Sequence, residues 1–356
     1  VLTLRFVRRA WSETGGAEHY LNRLAVGLKA SGCRVGLVCE TWSGHGRKDV
    51  FDHVEELGRG LFRPLAPLQF ARRVDAFTAG RGEVVFSLER GVRADLFRAG
   101  DGVHQGWLAR RSRQTPGRGW WRNTFNFKNH VVCHLEARTF DPARTRRVIA
   151  NSRMVWEDIR HYFPDFPPDR IEIIHNGVDV EKFGSGQRDR GRAELGIGPD
   201  ETVVLLVGAG RERKGHRQAA EAVAGVPGLR LLIIDRPPPC SMPDLYAAAD
   251  LFLLPTIYDP FANVTLEAMA AGLPVITTRD NGACDVLRDG ENGFVVGTAF
   301  EMAEMRARLD ALRDADLRRR MGAAARETAK ACSLADHIAR TLALCQRMAA
   351  DGPGGG

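Results

Sequence analysis

The stretch "YDPFANVTLEAMAAGLPVITT", from Tyr258 to Thr278, sets two acids, Asp259 and Glu267, eight positions apart with a proline beside the first. Ionised carboxylates only accept hydrogen bonds, so such a pair suits a ligand rich in hydroxyls. The apolar run "LFLLP" ends at Pro255, a loop carries Asp259, and the pattern predicts a helix from near Asn263. The amides of Phe261, Ala262 and Asn263 would then point out of a helix N-terminus, where the helix dipole favours an anion. Either both acids face one ligand, or Asp259 caps the helix and Glu267 is solvated. A second group is "VGAGRERKG", Val207 to Gly215, where a strand ends in a glycine-rich turn and delivers Arg213 and Lys214. Facing the amides of Phe261 to Asn263, those cations would clamp a diphosphate from two sides; alone, they form a solvated basic turn.

Earlier in the chain, "TGGAEHY" places Gly15 and Gly16 between a strand and a helix, where the missing Cβ lets backbone approach a ligand or simply permits a tight turn. "FRAGDGVHQGWL" holds Asp101 and His104 in a glycine-flanked loop, with His104 able to donate, accept or carry charge at a cleft wall. Both residues equally fit an exposed loop without a role.

These groups need a scaffold, and the chain has length for one. Its 356 residues, 44% hydrophobic and 27% charged, fit two α/β domains of a globular enzyme and expect a cleft between them. Runs such as "CRVGLVCE", "EVVFSL", "RVIAN" and "RIEIIHNGV" alternate with helical stretches and close a βαβ succession near Val178. A second succession follows through "TVVLLVGAG", "LRLLIID", "LFLLP", "PVITT" and "GFVV", whose continuous Val, Ile and Leu runs predict parallel strands covered on both faces. Ser333 to Ala350 reads as an amphipathic helix. Gly208 and Gly210 lack the third glycine of a dinucleotide fingerprint, which argues against a nicotinamide cofactor.

Charge is distributed unevenly. Between Leu108 and Arg147 ten Lys or Arg stand against two acids, a net of +8, while the whole chain carries +7. Arg110, Arg111, Arg113, Arg122 and Lys128 are interleaved there with Trp120 and Trp121, a mixture suited to the headgroup layer of an anionic membrane before nucleic acid. No apolar run approaches the roughly 20 residues that cross a bilayer. Seven scattered cysteines without a CxxC pair point to free thiols in a reducing cytoplasm.

Together these motifs resemble the family 4 retaining glycosyltransferases of GT-B fold, and within them the lipopolysaccharide core glycosyltransferases that add a hexose to inner-core heptose. The likeness rests on "DPFANVTLEAMAAGLPVI", "RERKG", "TGGAEHY" and "GDGVH". It implies two Rossmann-like α/β domains facing across a cleft: residues 1–178 for the acceptor, 179–332 for the nucleotide sugar, and a helix over 333–350 returning to the first domain. It also implies that Asp259 binds donor-sugar hydroxyls and Glu267 the nucleotide ribose. The amides of Phe261, Ala262 and Asn263, with Arg213 and Lys214, would take the diphosphate. Gly15 and Gly16 would form the N-terminal glycine loop, and Asp101 or His104 would touch the reacting sugar.

Three departures from the family pattern stand out. Asp259 replaces the usual Glu and is one methylene shorter, which bears on the sugar preferred. Ala209 stands where many members carry Arg, leaving Arg213 to supply that charge. Only "RPPPCSM" joins "LRLLIID" to "PDLYAAAD", where the family has a further helix and strand beside the base.

The expected protein is therefore a metal-independent hexosyltransferase needing no cofactor. It would take a nucleotide diphosphate sugar, with UDP-glucose the expected donor, and pass the hexose to a glycolipid of the lipopolysaccharide core. It would work in the cytoplasm, peripheral on the anionic inner face of the cytoplasmic membrane, without a nucleic-acid partner. The alternatives are a nucleotide-sugar epimerase of the same fold and a non-enzymatic basic protein that binds membrane or nucleic acid.

Overall fold

The computed structural model describes residues 1–11, 16–42, 50–60, 62–80, 82–113 and 126–351. They form two compact units, Val1–Ile174 with the chain from Ile338 onward, and His175–His337. The sequence reading breaks the chain after Val178, whereas the fold breaks it between Ile174 and His175. The cause is a set of bonds inside the second unit: the Val178 amide donates to the Cys332 carbonyl and the Leu334 amide to the Val178 carbonyl, each at 3.0 Å. His337 Nδ1 lies 2.7 Å from the His175 carbonyl oxygen.

In the first unit the strands are β1 (Thr3–Val7), β2 (Ala10–Trp11), β3 (Arg34–Cys39), β4 (Thr41–Trp42), β5 (His53–Glu56), β6 (Val84–Ser87), β7 (Ala94–Arg98), β8 (Thr145–Ala150) and β9 (Ile171–Ile173). Seven of them make one parallel sheet in the order β5-β3-β1-β6-β7-β8-β9, and β2 pairs with β4. Side chains alternate across a strand, and the core divides accordingly. Leu4, Phe6, Leu37 and Phe86 pack with Leu21, Leu24 and Leu28 of the helix Gly16–Ala30. Their neighbours Val7, Val38 and Val85 pack with Phe70 and Val74 of the helix Ala66–Thr78. Helices therefore cover both faces. Leu344, Cys345 and Met348 of the helix Leu334–Ala350 join the first of these clusters.

The second unit holds β10 (Thr202–Val207), β11 (Leu229–Ile234), β12 (Leu251–Leu254), β13 (Val275–Thr278) and β14 (Gly293–Val296), parallel in the order β11-β10-β12-β13-β14. Every residue of β12 and β13 is buried, as the continuous apolar runs require. Each fully buried Leu, Ile or Phe of this core contributes on the order of 1.5–3 kcal/mol. β11 is one of the two edge strands, and all its residues are half-buried. The short "RPPPCSM" connection leads from it directly into the helix Met242–Ala248, which Ser241 caps. The helix Asn263–Ala270 ends where Gly272, at φ 81°, donates to the Met269 carbonyl while Leu273 donates to Ala268. That is a Schellman stop.

Candidate functional site

In the second unit the carboxyl ends of β10 and β12 lie side by side, the position where open parallel sheets bind ligands. After Val207 the chain turns through Gly208 and Gly210 into the one-turn helix Arg211–Lys214. Gly215 ends that turn at φ 72°, and a Cβ there would sit 1.9 Å from the Pro255 carbonyl oxygen. Only glycine lets the two loops approach this closely. They are then stitched together, because the Arg213 carbonyl accepts from the Ile257 amide at 2.9 Å and from Thr256 Oγ1 at 2.8 Å.

This packing delivers Lys214 to Asp259. Lys214 Nζ donates to Asp259 Oδ2 at 2.7 Å, with both residues buried, and Arg213 Nη1 lies 3.6 Å from the same oxygen. Burial pushes the Asp259 carboxyl up. The Lys214 and Arg213 charges, the Lys214 hydrogen bond and the Phe261 amide outweigh it and hold the carboxyl below its ordinary 3.8. The Asp259 backbone is pinned as well, its amide donating to Asp280 and its carbonyl accepting from Gly282, each at 2.8 Å.

Of the three amides expected to meet a diphosphate, two have acceptors within the protein. The Phe261 amide serves the Asp259 carboxylate, and the Ala262 amide donates to Asn281 Oδ1 at 3.2 Å. Asn263 opens the helix, and its side-chain oxygen accepts from Asn176 Nδ2 at 2.7 Å. Glu267 lies one turn inside, half-buried, accepting from Tyr246 Oη at 2.8 Å. The structure thus joins Arg213, Lys214, Asp259 and Phe261 into one contact group, with Glu267 on the adjoining helix and fixed by a different partner.

Several residues of this group escaped the sequence reading. Asn281 is fully buried and joins Thr265, Thr277, Ala262 and Ala283. His175 stacks on Phe261 with ring centroids 5.7 Å apart and holds Asp285 at 2.9 Å. Tyr246 is fully buried in the helix Met242–Ala248. A buried phenol needs a hydrogen-bond partner, and that was the available signal.

In the first unit Gly16 begins its helix; Gly15 lies outside the described residues, as do Trp120, Trp121 and Arg122. Asp101 is exposed in the turn after β7, and His104 starts the helix His104–Ser112. The buried Glu136 carboxylate accepts from the His104 amide at 2.6 Å and from Arg90 Nε at 3.1 Å, capping that helix from another element. His104 Nε2 lies 3.2 Å from Asn129 Oδ1. Burial, then the Arg90 charge, push the imidazole down to about 4 against the Asn129 hydrogen bond. The expectation that His104 can carry charge is therefore corrected: it is neutral at physiological pH. Arg8, at the end of β1, is held between Glu18 at 3.1 Å and Glu89 at 3.0 Å.

The basic segment is partly neutralised in space. Arg110 pairs with Asp158, Arg138 and Arg144 with Asp75, and Arg146 with Asp95. The net of +8 counted over this segment is reduced to that extent. Arg111 lies over the Trp107 ring at 5.7 Å, while Arg113 and Lys128 are exposed. A crevice of about 980 Å³ opens among Asp75, Arg93, Asp95, Arg144 and Arg146. It faces the amino ends of β6, β7 and β8, the end of a parallel sheet opposite to where ligands bind.

The sequence matches two family models, "Glycosyltransferase Family 4" over residues 14–182 and "Glycosyl transferases group 1" over residues 237–328. A D-inositol 3-phosphate glycosyltransferase of Rhodococcus opacus (strain B4) is 31% identical over 191 residues, 43% of this chain and 42% of that protein. The chain thus spans less than half the length of that relative. Among solved structures, WaaG, a glycosyltransferase involved in lipopolysaccharide biosynthesis, superposes with a TM-score of 0.78 at 21% identity, covering 96% of this chain and 99% of that one. Anabaena HepE in complex with UDP-glucose gives 0.69 at 18% identity, covering 97% and 100%. The chain thus matches a family 4 glycosyltransferase model and a group 1 glycosyltransferase model on the two-domain fold that these solved structures share.

Proposed function

We propose that the protein moves a hexose from a nucleotide diphosphate sugar to an acceptor hydroxyl, retaining the anomeric configuration and requiring no metal ion. The observation that carries this reading is the buried Lys214, set beside Arg213 at the carboxyl ends of β10 and β12. Cleavage of the bond between the anomeric carbon and the diphosphate leaves negative charge on phosphate oxygens. Lys214 and Arg213 stabilise that charge in place of a metal, together with the start of the helix Asn263–Ala270. The acceptor oxygen bonds to the same face of the anomeric carbon and its proton passes to the departing phosphate, so no protein nucleophile is assigned. Glu267 holds the nucleotide ribose, and Asp259 serves the sugar end through the cations it orients.

UDP-glucose is the proposed donor, supported by its presence in the HepE complex. A glycolipid of the lipopolysaccharide core is the proposed acceptor, supported by the likeness to WaaG. The Rhodococcus relative favours a second acceptor, D-inositol 3-phosphate. Among the described residues no helix is long and apolar enough to cross a membrane. The glycolipid is reached instead by a basic surface that includes Arg113 and Lys128, peripheral on the anionic inner face of the cytoplasmic membrane.

Calorimetric titration with UDP, UDP-glucose, GDP-mannose and ADP-heptose in EDTA tests the reading. Selective binding of UDP and UDP-glucose, weakened in Glu267→Ala, is expected. Transfer assays with core oligosaccharide and with D-inositol 3-phosphate then choose the acceptor. Absence of binding to all four nucleotides overturns the assignment.

A further inference from the structure

We infer that Tyr246 is a positioning residue for Glu267, fixing the carboxylate in the orientation that meets the ribose hydroxyls of the donor. The inference rests on the nucleotide-sugar reading above and adds to it a residue outside both site motifs. Tyr246 is fully buried. Its ring meets Phe183 edge-on at 5.6 Å and Phe252 at 6.2 Å, so the phenol cannot swing away from its place. Its helix, Met242–Ala248, is itself anchored: Asp244 accepts from the Gln187 amide at 2.7 Å and from Ser241 Oγ at 2.5 Å, and pairs with Arg190. From this fixed base Tyr246 Oη donates to Glu267 Oε2 at 2.8 Å, with the Val264 carbonyl a longer contact at 3.5 Å.

The direction of that bond is settled by chemistry. Burial first, then the neighbouring Glu267 charge, raise the phenol far above its ordinary range, so Tyr246 keeps its proton and is always the donor. A glutamate has three side-chain torsions to order before it can bind anything. A fixed donor on one carboxylate oxygen orders them in advance, and affinity gained through such preorganisation is lost when the donor is removed.

Tyr246→Phe keeps the ring and removes only the hydroxyl. Titration of UDP into wild-type protein, Tyr246→Phe, Glu267→Ala and the double variant is the test. Weakening of about tenfold in Tyr246→Phe is expected from loss of a charge-assisted bond. No further weakening should appear when Tyr246→Phe is added to Glu267→Ala. The acid limb of the UDP-binding profile should also move to higher pH in Tyr246→Phe, because the carboxylate has lost a donor that favours its ionised form. Leu309→Ala, in the helix Met302–Ala311, thins the same core without touching Tyr246 or its ring partners, so it should lower the melting temperature and leave the UDP affinity and acid limb in place.

Unchanged UDP affinity in Tyr246→Phe, additive losses in the double variant, or an equal loss of affinity in Leu309→Ala overturns the positioning role alone. Failure of the wild-type protein to bind UDP overturns the donor-site reading and the positioning role with it.

Discussion

Lys214 Nζ and Asp259 Oδ2 form a 2.7 Å ion pair between side chains that are 9% and 7% exposed. The acid whose position points to the sugar is thus the direct partner of the cation whose position points to the diphosphate. Desolvation opposes such a pair, and its attraction repays that cost only while both members are present. Asp259→Asn should therefore lower the unfolding free energy by about 3–5 kcal/mol, because Lys214 is left buried without its carboxylate. Adding Lys214→Met should restore most of the loss. Urea unfolding of the two single variants and the double variant measures the coupling, and strictly additive losses would show that the pair is not what binds the two loops.

The same pair separates two kinetic effects. On the proposed reaction, Lys214→Ala removes charge that matters most as the diphosphate departs, so kcat should fall about 10²- to 10³-fold while KM for the nucleotide sugar moves little. Glu267→Ala removes a contact made equally in the bound and transition states, so KM should rise and kcat hold. Both assays belong at a temperature where circular dichroism shows each variant folded. Wild-type rates in both variants would remove this site from the reaction.

The buried apolar runs of β10, β12 and β13 were legible because a strand covered on both faces needs nearly every side chain apolar. Asp259, Arg213 and Lys214 were legible by location, since each follows such a run. Their mutual pairing was not, because it joins positions 45 apart in the chain. For the same reason the charge count over Leu108 to Arg147 missed Asp75, Asp95 and Asp158, acids that only the fold brings to those arginines. β5, with the sequence "HVEE", carries almost no apolar signal and exists because β3 offers it an edge. Glu136 counted as one acid in a basic segment, whereas the fold buries it beneath His104 and Arg90.

His104 gives a pH dependence with a definite sign. Its folded-state value of about 4 lies below its ordinary 6.5, so between those limits the unfolded chain binds more protons than the folded one. Its contribution to stability is fully present above 6.5 and is lost as pH falls toward 4. Glu136, raised chiefly by burial, acts in the opposite sense, so the His104 share has to be isolated by difference. Urea midpoints of wild-type protein and His104→Asn at pH 5 and pH 7 provide that difference. The wild type should lose more stability than the variant between the two, and equal losses would contradict a neutral buried imidazole.

Exposed Arg113 and Lys128 flank, in sequence, the stretch that contains Trp120, Trp121 and Arg122. Each basic side chain near an anionic surface contributes about 1 kcal/mol, and tryptophan favours the headgroup layer. Replacing Trp120, Trp121 and Arg122 together with Ala should therefore reduce co-sedimentation with phosphatidylglycerol vesicles about tenfold or more. Binding should also weaken with added salt, as screening over a Debye length of about 10 Å at 0.1 M requires. Turnover on a soluble acceptor should be retained, because Lys214, Arg213 and Glu267 belong to the other unit. Vesicle binding that survives the triple replacement and 0.5 M salt would place any membrane contact elsewhere on the protein.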